Sequence, residues 1–268
     1  MKQISILGCG WLGLPLAKTL IKNNFLVNGS TTSENKIQIL KNAGINPFLI
    51  EILENKITGE IEIFLENSDL LIIDIPPKLR GTTTENFVSK IENLIPFIQK
   101  LAVKKVVFVS STSVYSDGFP IEICTEKQQP NPESESGKQL LEVENRLLKN
   151  AIFDTIILRF GGLIGEDRNP ITFLSGKKNV ENPEAPINLI HQEDCIGIIL
   201  KILETQSWNE VYNCVNPFHP TRKEYYTQKA IELEIPIPEF DDTKTSVGKM
   251  VSSGKLQNVL GYEYVCKI

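Results

Sequence analysis

Three glycines open the list of residues whose type and spacing could do chemistry. They stand at 8, 10 and 13, in Gly8-Cys9-Gly10-Trp11-Leu12-Gly13. The apolar run Ile4 to Leu7 precedes them, and Leu14, Leu16, Ala17, Leu20 and Ile21 follow at helical spacing. That order, strand then glycine turn then helix, is the one a dinucleotide phosphate needs. Gly8 permits the tight turn, Gly10 lets the backbone approach a pyrophosphate, and Gly13 lets helix and strand pack closely. Cys9, Trp11 and Leu12 complete the cradle, and the unpaired N–H groups of the first helical turn face the phosphates. Pro15 falls in or near that turn, where its missing N–H costs little.

Two further groups belong to the same chemistry. The second strand ends in Ser30-Thr31-Thr32-Ser33, without the acidic residue that holds ribose hydroxyls in NAD-specific proteins. Thr31 and Thr32, with Lys36 nearby, suit a 2′-phosphate, which leans the cofactor toward NADP over NAD. Glu34 reads as the partner of Thr31 in a capping box. The apolar run Asp69 to Ile75 is stopped by Pro76-Pro77. Ile75 and Pro76 therefore fall at the C-terminal end of a strand, where open α/β sheets bind ligands.

The elements that must position these groups alternate. Strands are expected over 25–29, 46–53, 69–75, 104–109 and 155–158, with helices over 84–101 and 138–148 between them. Pro96 should bend or break the first of these helices. The expected fold is α/β, a doubly wound parallel Rossmann sheet with a small C-terminal substrate-side lobe. Residues 1–165 form the dinucleotide-binding domain and 188–213 return to it. Residues 166–187, punctuated by Pro170, Gly176, Pro183 and Pro186, join 214–268 in the lobe. Asp194 is the expected N-cap of a helix over 195–203. Thr221 and Glu224 fit a capping box at the start of another helix, and Lys255 to Leu260 closes the chain with helical character.

Composition narrows the function classes. A chain of 268 residues with 41% hydrophobic and 23% charged residues can bury a full core. Its net charge of −5 and lack of a basic stripe argue against nucleic acid. No apolar run reaches the ~18 residues a membrane span needs. The glycines interrupt the N-terminal apolar segment, so it is not read as an export signal. Five scattered cysteines show no metal-ligand spacing, which predicts reduced thiols, no metal and a cytoplasmic protein.

Taken together the motifs resemble the short-chain dehydrogenase/reductase superfamily, in its extended NAD-dependent epimerase/dehydratase branch and the atypical YeeZ-like subgroup. The glycine loop matches, Ser110-Ser111-x-x-Val114-Tyr115 resembles the family's SSxxVYG with Ser116 in place of its glycine, and His191-Gln192-Glu193-Asp194 resembles its HxxD. Val211-Tyr212-Asn213 resembles its VYN. Arg159 to Gly165 is similar to the segment passing the nicotinamide, which assigns Phe160, Gly161 and Gly162 to the cofactor.

The resemblance implies that Ser111, with Thr112, binds a substrate oxygen and that Lys138 holds the nicotinamide ribose and tunes a tyrosine base. Four residues before Lys138, however, stands Ser134, not tyrosine. A serine hydroxyl is too basic to replace a tuned phenol near neutral pH. Tyr115 is the nearest phenol in sequence and is the substitute candidate. The function implied is an NAD(P)-dependent oxidoreductase or epimerase on a small polar or nucleotide-sugar-like substrate, from a monomer or homodimer. The alternative is a non-catalytic dinucleotide-binding sensor, which the lost tyrosine favours. The glycine loop is also similar to that of β-hydroxyacid dehydrogenases, but their all-helical C-terminal half does not suit the strand expected at 211–215.

Overall fold

The computed structural model describes residues 2–77 and 85–268. Seven strands form one parallel sheet: β1 (Gln3–Leu7), β2 (Leu26–Thr31), β3 (Asn46–Leu49), β4 (Leu70–Ile73), β5 (Lys105–Ser111), β6 (Asp154–Phe160) and β7 (Glu210–Cys214). Their spatial order is β7-β6-β5-β4-β1-β2-β3. The order reverses between β1 and β4, so a crevice opens at their C-terminal ends, where Leu7 pairs with Ile73.

The sheet is covered on both faces, as its apolar runs require. Helices α1 (Gly13–Lys22), α2 (Ile37–Asn42) and α6 (Gln192–Thr205) pack on one face. Helices α3 (Ile61–Leu65), α4 (Phe87–Lys100) and α5 (Glu135–Leu148) pack on the other. Successive residues of β4 divide between the two cores: Leu70 and Ile72 go to the first, Leu71 and Ile73 to the second. A third, smaller apolar cluster lies outside the sheet. It joins Tyr225, Tyr226 and Ala230 of α7 (Arg222–Glu232) to Ile164, Ile171, Ile187 and Leu189. No helix among the described residues is long and apolar enough to cross a membrane.

Several boundaries differ from the sequence expectation. β2 extends to Thr31, because Thr31 pairs with Leu49 of β3. β3 is short, since residues 51–52 turn away to pair antiparallel with 57–58. α4 runs through Pro96 without a break. Thr84, the expected first residue of that helix, lies outside the described residues. The capping box at α7 forms as expected, with Thr221 and Glu224 each accepting from the other's backbone N–H. The box expected at Thr31 and Glu34 does not form. Thr31 Oγ1 accepts from the Ser33 N–H at 3.1 Å, closing a local turn instead.

Candidate functional site

At the end of β1 the glycines do three different things. Gly8 has φ +105°, and a Cβ there would lie 2.4 Å from the Asp74 carbonyl oxygen. A Cβ on Gly13 would lie 2.2 Å from the Gly8 carbonyl oxygen, so α1 begins pressed against the turn. A Cβ on Gly10 would meet nothing within 4 Å. Gly10 thus leaves open the space a diphosphate would fill, and a dinucleotide fits this cradle. Ser30, which the sequence reading passed over, fixes the loop from β2. Its Oγ accepts from the Gly8 N–H at 2.9 Å and its carbonyl from the Cys9 N–H at 2.8 Å.

The other loop residues divide by direction. Cys9 and Leu12 turn their side chains into the core, leaving only backbone for a ligand. Burial, reinforced by the charge of Asp74, pushes the Cys9 thiol up to about 12. Trp11 reaches across the crevice mouth. Its indole N–H donates to Asp167 at 2.7 Å, its carbonyl accepts from Gln192 at 2.7 Å, and Arg168 stands 5.0 Å over its ring. Thr32 and Pro76 are exposed, Thr31 is buried, and Ile75 packs beside Gly8. Asp74, which sequence periodicity assigned to the strand, lies just beyond β4 with its carboxyl at the start of α1. Desolvation by the surrounding loop pushes the pKa of this half-buried carboxyl up to about 8, partly offset by the Gly13 N–H.

The second group lies at the ends of β5 and β6. Ser111 Oγ accepts from the Ser113 N–H at 3.1 Å, capping a single turn over Thr112–Val114 in which Thr112 is buried. Ser134 is the N-cap of α5, accepting from the Gly137 N–H at 3.1 Å. A Cβ on Gly137 would lie 2.3 Å from the Ser113 carbonyl oxygen, so the start of α5 touches that turn. Lys138 follows on the first turn of α5 and is exposed.

Tyr115, the candidate phenol, is instead an interior link. Its hydroxyl accepts from Arg159 Nη1 at 2.7 Å and faces Asn213 Oδ1 at 3.0 Å and the Thr125 carbonyl at 3.2 Å. Burial raises its pKa, against the pull of Arg159. Arg159 in turn is ion-paired with buried Glu144 at 2.6 Å, and Ser110 Oγ donates to the same carboxylate at 2.5 Å. These buried charges are paired and hydrogen-bonded, as burial demands.

Phe160 is also turned into the core rather than toward a ligand. Gly161 and Gly162 donate their N–H groups to the carbonyls of Cys214 (3.0 Å) and Asn188 (2.7 Å). A Cβ on Gly161 would lie 2.5 Å from the Asn188 oxygen, so close backbone approach explains that glycine.

No family model matches the chain. It is 32% identical over 266 residues to Protein YeeZ of Escherichia coli strain K12, covering 98% of this chain and 96% of that one. The same identity and coverage hold for Protein YeeZ of Escherichia coli O157:H7. The chain belongs to the same family as Protein YeeZ. Solved structures share its fold at lower identity. UDP-glucose 4-epimerase of Thermotoga maritima superposes with TM-score 0.82 at 16% identity, over 99% of this chain and 94% of that one. A short-chain dehydrogenase/reductase superfamily protein of Agrobacterium tumefaciens with bound NAD gives 0.79 at 17%, over 99% and 93%. A putative NAD-dependent epimerase/dehydratase of Methylobacillus flagellatus gives 0.78 at 22%, over 98% and 93%.

In this YeeZ-like chain the HxxD motif does a structural job that sequence reading missed. His191, not Asp194, is the N-cap of α6; its Nδ1 accepts from the Glu193 N–H at 3.3 Å. Asp194 is buried inside the first turn. It accepts from the Tyr262 hydroxyl (2.9 Å) and from the N–H groups of Val265 (2.9 Å) and Cys266 (3.3 Å), holding the C-terminal tail. The tail also carries Cys266 Sγ to 3.1 Å from His191 Nδ1 and 3.3 Å from Glu193. Beyond β5 lies a cleft of about 510 Å³, walled by residues of the Tyr115–Asn131 stretch and by Gly248 and Lys249. The walls of that cleft do not include the Gly8–Gly13 loop.

Proposed function

We propose that this chain binds a nicotinamide dinucleotide across the β1/β4 crevice and acts as an oxidoreductase or epimerase on a small polar or nucleotide-sugar-like substrate. The observation that carries this reading is the cradle itself. Gly8 and Gly13 admit no side chain, while Gly10 leaves open space at the topological switch point of the sheet. Two structural neighbours, one with bound NAD and one a UDP-glucose 4-epimerase with UDP-glucose, support the cofactor and substrate class.

In this reading Gly8, Gly10, Gly13 and the backbone of Cys9, Trp11 and Leu12 hold the diphosphate. Thr31, Thr32 and Lys36 receive a 2′-phosphate, which favours NADP. Ile75, Pro76, Gly161 and Gly162 border the nicotinamide end, and exposed Lys138 binds its ribose. Ser111 and Thr112 orient the substrate oxygen. The bound cofactor supplies hydride transfer; the residues named bind, orient and exclude water around it.

One observation favours the sensor reading. The serine at the family's tyrosine position is engaged as a helix cap, and the nearest phenol in sequence, Tyr115, is buried in a closed network. Titration with NADH and NADPH, then turnover assays against carbonyl and nucleotide-sugar panels, separates the two. Turnover abolished in Lys138→Ala and Ser111→Ala supports the enzyme. Tight binding without turnover on any substrate supports the sensor. Failure of both cofactors to bind up to about 1 mM, roughly 4 kcal/mol of affinity, overturns both.

A further inference from the structure

At the start of α6 an imidazole, a carboxylate and a thiol converge, those of His191, Glu193 and Cys266. Cys266 Sγ lies 3.1 Å from His191 Nδ1 and 3.3 Å from Glu193 Oε2, and the three ligand atoms all lie within 4.8 Å of one another. Tetrahedral zinc, with bonds of about 2.0 to 2.3 Å, sets such nitrogen, oxygen and sulfur ligands roughly 3.4 to 3.6 Å apart, so both sulfur separations are within about 0.5 Å of that spacing. The cysteine spacing that predicts no metal is blind to this trio, because 75 residues separate Cys266 from His191. The backbone already holds the trio in place. The Cys266 N–H donates to Asp194 at 3.3 Å and its carbonyl accepts from Asn216 at 2.9 Å. His191 is fixed where the strand Leu189–His191 pairs with Gly162–Ile164.

We propose that His191 Nδ1, a Glu193 carboxylate oxygen and Cys266 Sγ form a zinc site, with water in the fourth position. The site is independent of the dinucleotide reading. As zinc binds, the Cys266 S–H bond breaks, its proton leaves to solvent and a sulfur–zinc bond forms, with no change of oxidation state. The Nδ1 lone pair passes to the metal from the long 3.3 Å bond it accepts from the Glu193 N–H. Thiolate and imidazole select zinc over magnesium or calcium, which prefer oxygen. His191 and Cys266 are half-buried and Glu193 is exposed, which leaves solvent access for the fourth ligand.

Charge decides in favour of a cation. The N-terminus of α6 carries roughly half a positive charge, which opposes one. The Glu193 and Asp194 carboxylates and the Cys266 thiolate bring about three negative charges to the same turn and outweigh it. The same atoms do not make a cysteine nucleophile. Activation would need a carboxylate on the far nitrogen of the imidazole, whereas Glu193 faces the sulfur. Burial and the hydrogen bond to Glu193 push the thiol up to about 12. A bound cation reverses the effect of these carboxylates on the sulfur.

The test uses the tag-free full chain, kept reduced and stripped of metal with a chelator. Zinc affinity is measured by competition with a chromophoric chelator, and cobalt(II) serves as the spectroscopic probe. Wild type should bind a single zinc ion per chain, and cobalt should give the intense near-ultraviolet charge-transfer band of a sulfur ligand. Cys266→Ser should lose that band and about a hundredfold in zinc affinity, and His191→Ala about as much affinity, since even the groups that orient a ligand are worth about 10- to 100-fold. Zinc should also protect Cys266 from alkylation by iodoacetamide, read by peptide mass; the other cysteines are buried. A wild-type chain that binds no zinc up to about 100 μM, roughly 5 kcal/mol of affinity, overturns the proposal. Zinc affinity unchanged in Cys266→Ser overturns it by placing the ion elsewhere, and cobalt binding without the charge-transfer band does the same. Alkylation of Cys266 at equal rates with and without zinc overturns it as well, and that measurement needs no variant. None of these outcomes bears on NADH binding, so the dinucleotide reading stands or falls separately.

Discussion

The two ends of the crevice are built on opposite plans. At β1 and β4 the site is made of backbone. Glycines at 8 and 13 exclude side chains by contact, Gly10 leaves room, and Ser30 ties the loop by two hydrogen bonds. At β5 and β6 polar side chains are instead engaged with the protein itself. Ser110 and Arg159 close on Glu144, Tyr115 accepts from Arg159, Ser111 caps a single turn and Ser134 caps α5. A site that offers backbone and space is ready for a ligand. A set of hydroxyls already bonded to protein holds the fold, and Lys138 is left as an exposed cation beside it.

Substitutions can break this contrast, and the first should have the largest effect. Gly13→Ala forces a Cβ to 2.2 Å from a carbonyl oxygen that cannot move away. It should cost about 4 kcal/mol or more in urea unfolding, whereas Gly10→Ala should leave stability within about 0.5 kcal/mol and abolish NADH binding. Equal stability losses at both glycines would show that the loop is merely tight. Next, Glu144→Ala leaves Arg159 charged, buried and without its ion pair, at a cost of roughly 3 to 4 kcal/mol in the same assay. A loss below about 1 kcal/mol would mean that the network is not structural.

Stability against pH sharpens the role of the cradle carboxyl. Asp74 keeps its proton up to about 8 in the folded chain, while its ordinary value is 3.8. Between these values the unfolded chain binds fewer protons than the folded one, so stability falls as pH rises. The loss should approach about 1.4 kcal/mol per pH unit and level off above the folded pKa. Urea unfolding at about pH 5 and about pH 7 should show this slope in wild type and lose it in Asp74→Asn. The smallest effect is expected at Lys138→Ala, within about 0.5 kcal/mol of wild type, because the side chain is exposed. A larger loss there would place Lys138 in the structural network rather than in a ligand site.

What the sequence made legible follows from local physics. Alternating burial on both faces of β4 and β5 shows in their unbroken apolar runs. The capping box of α7 is written within four residues. Asp74 was hidden because it continues an apolar strand in sequence and leaves it only in space. Asp194 was mistaken for a cap because its partners, Tyr262 to Cys266, lie about seventy residues away in sequence.

The sequence alone therefore determined the order of strands and helices, the parallel doubly wound sheet and the glycine cradle. Each depends on residues close together in the chain, where period, branching and missing side chains act directly. Only the tertiary structure decided which polar groups remain for a ligand. That depends on pairings such as Arg159 with Glu144, Tyr115 with Asn213, and Asp74 with the start of α1. Such pairings arise where the packed core brings distant residues together and removes water, so every enclosed polar group must find a partner or change its charge.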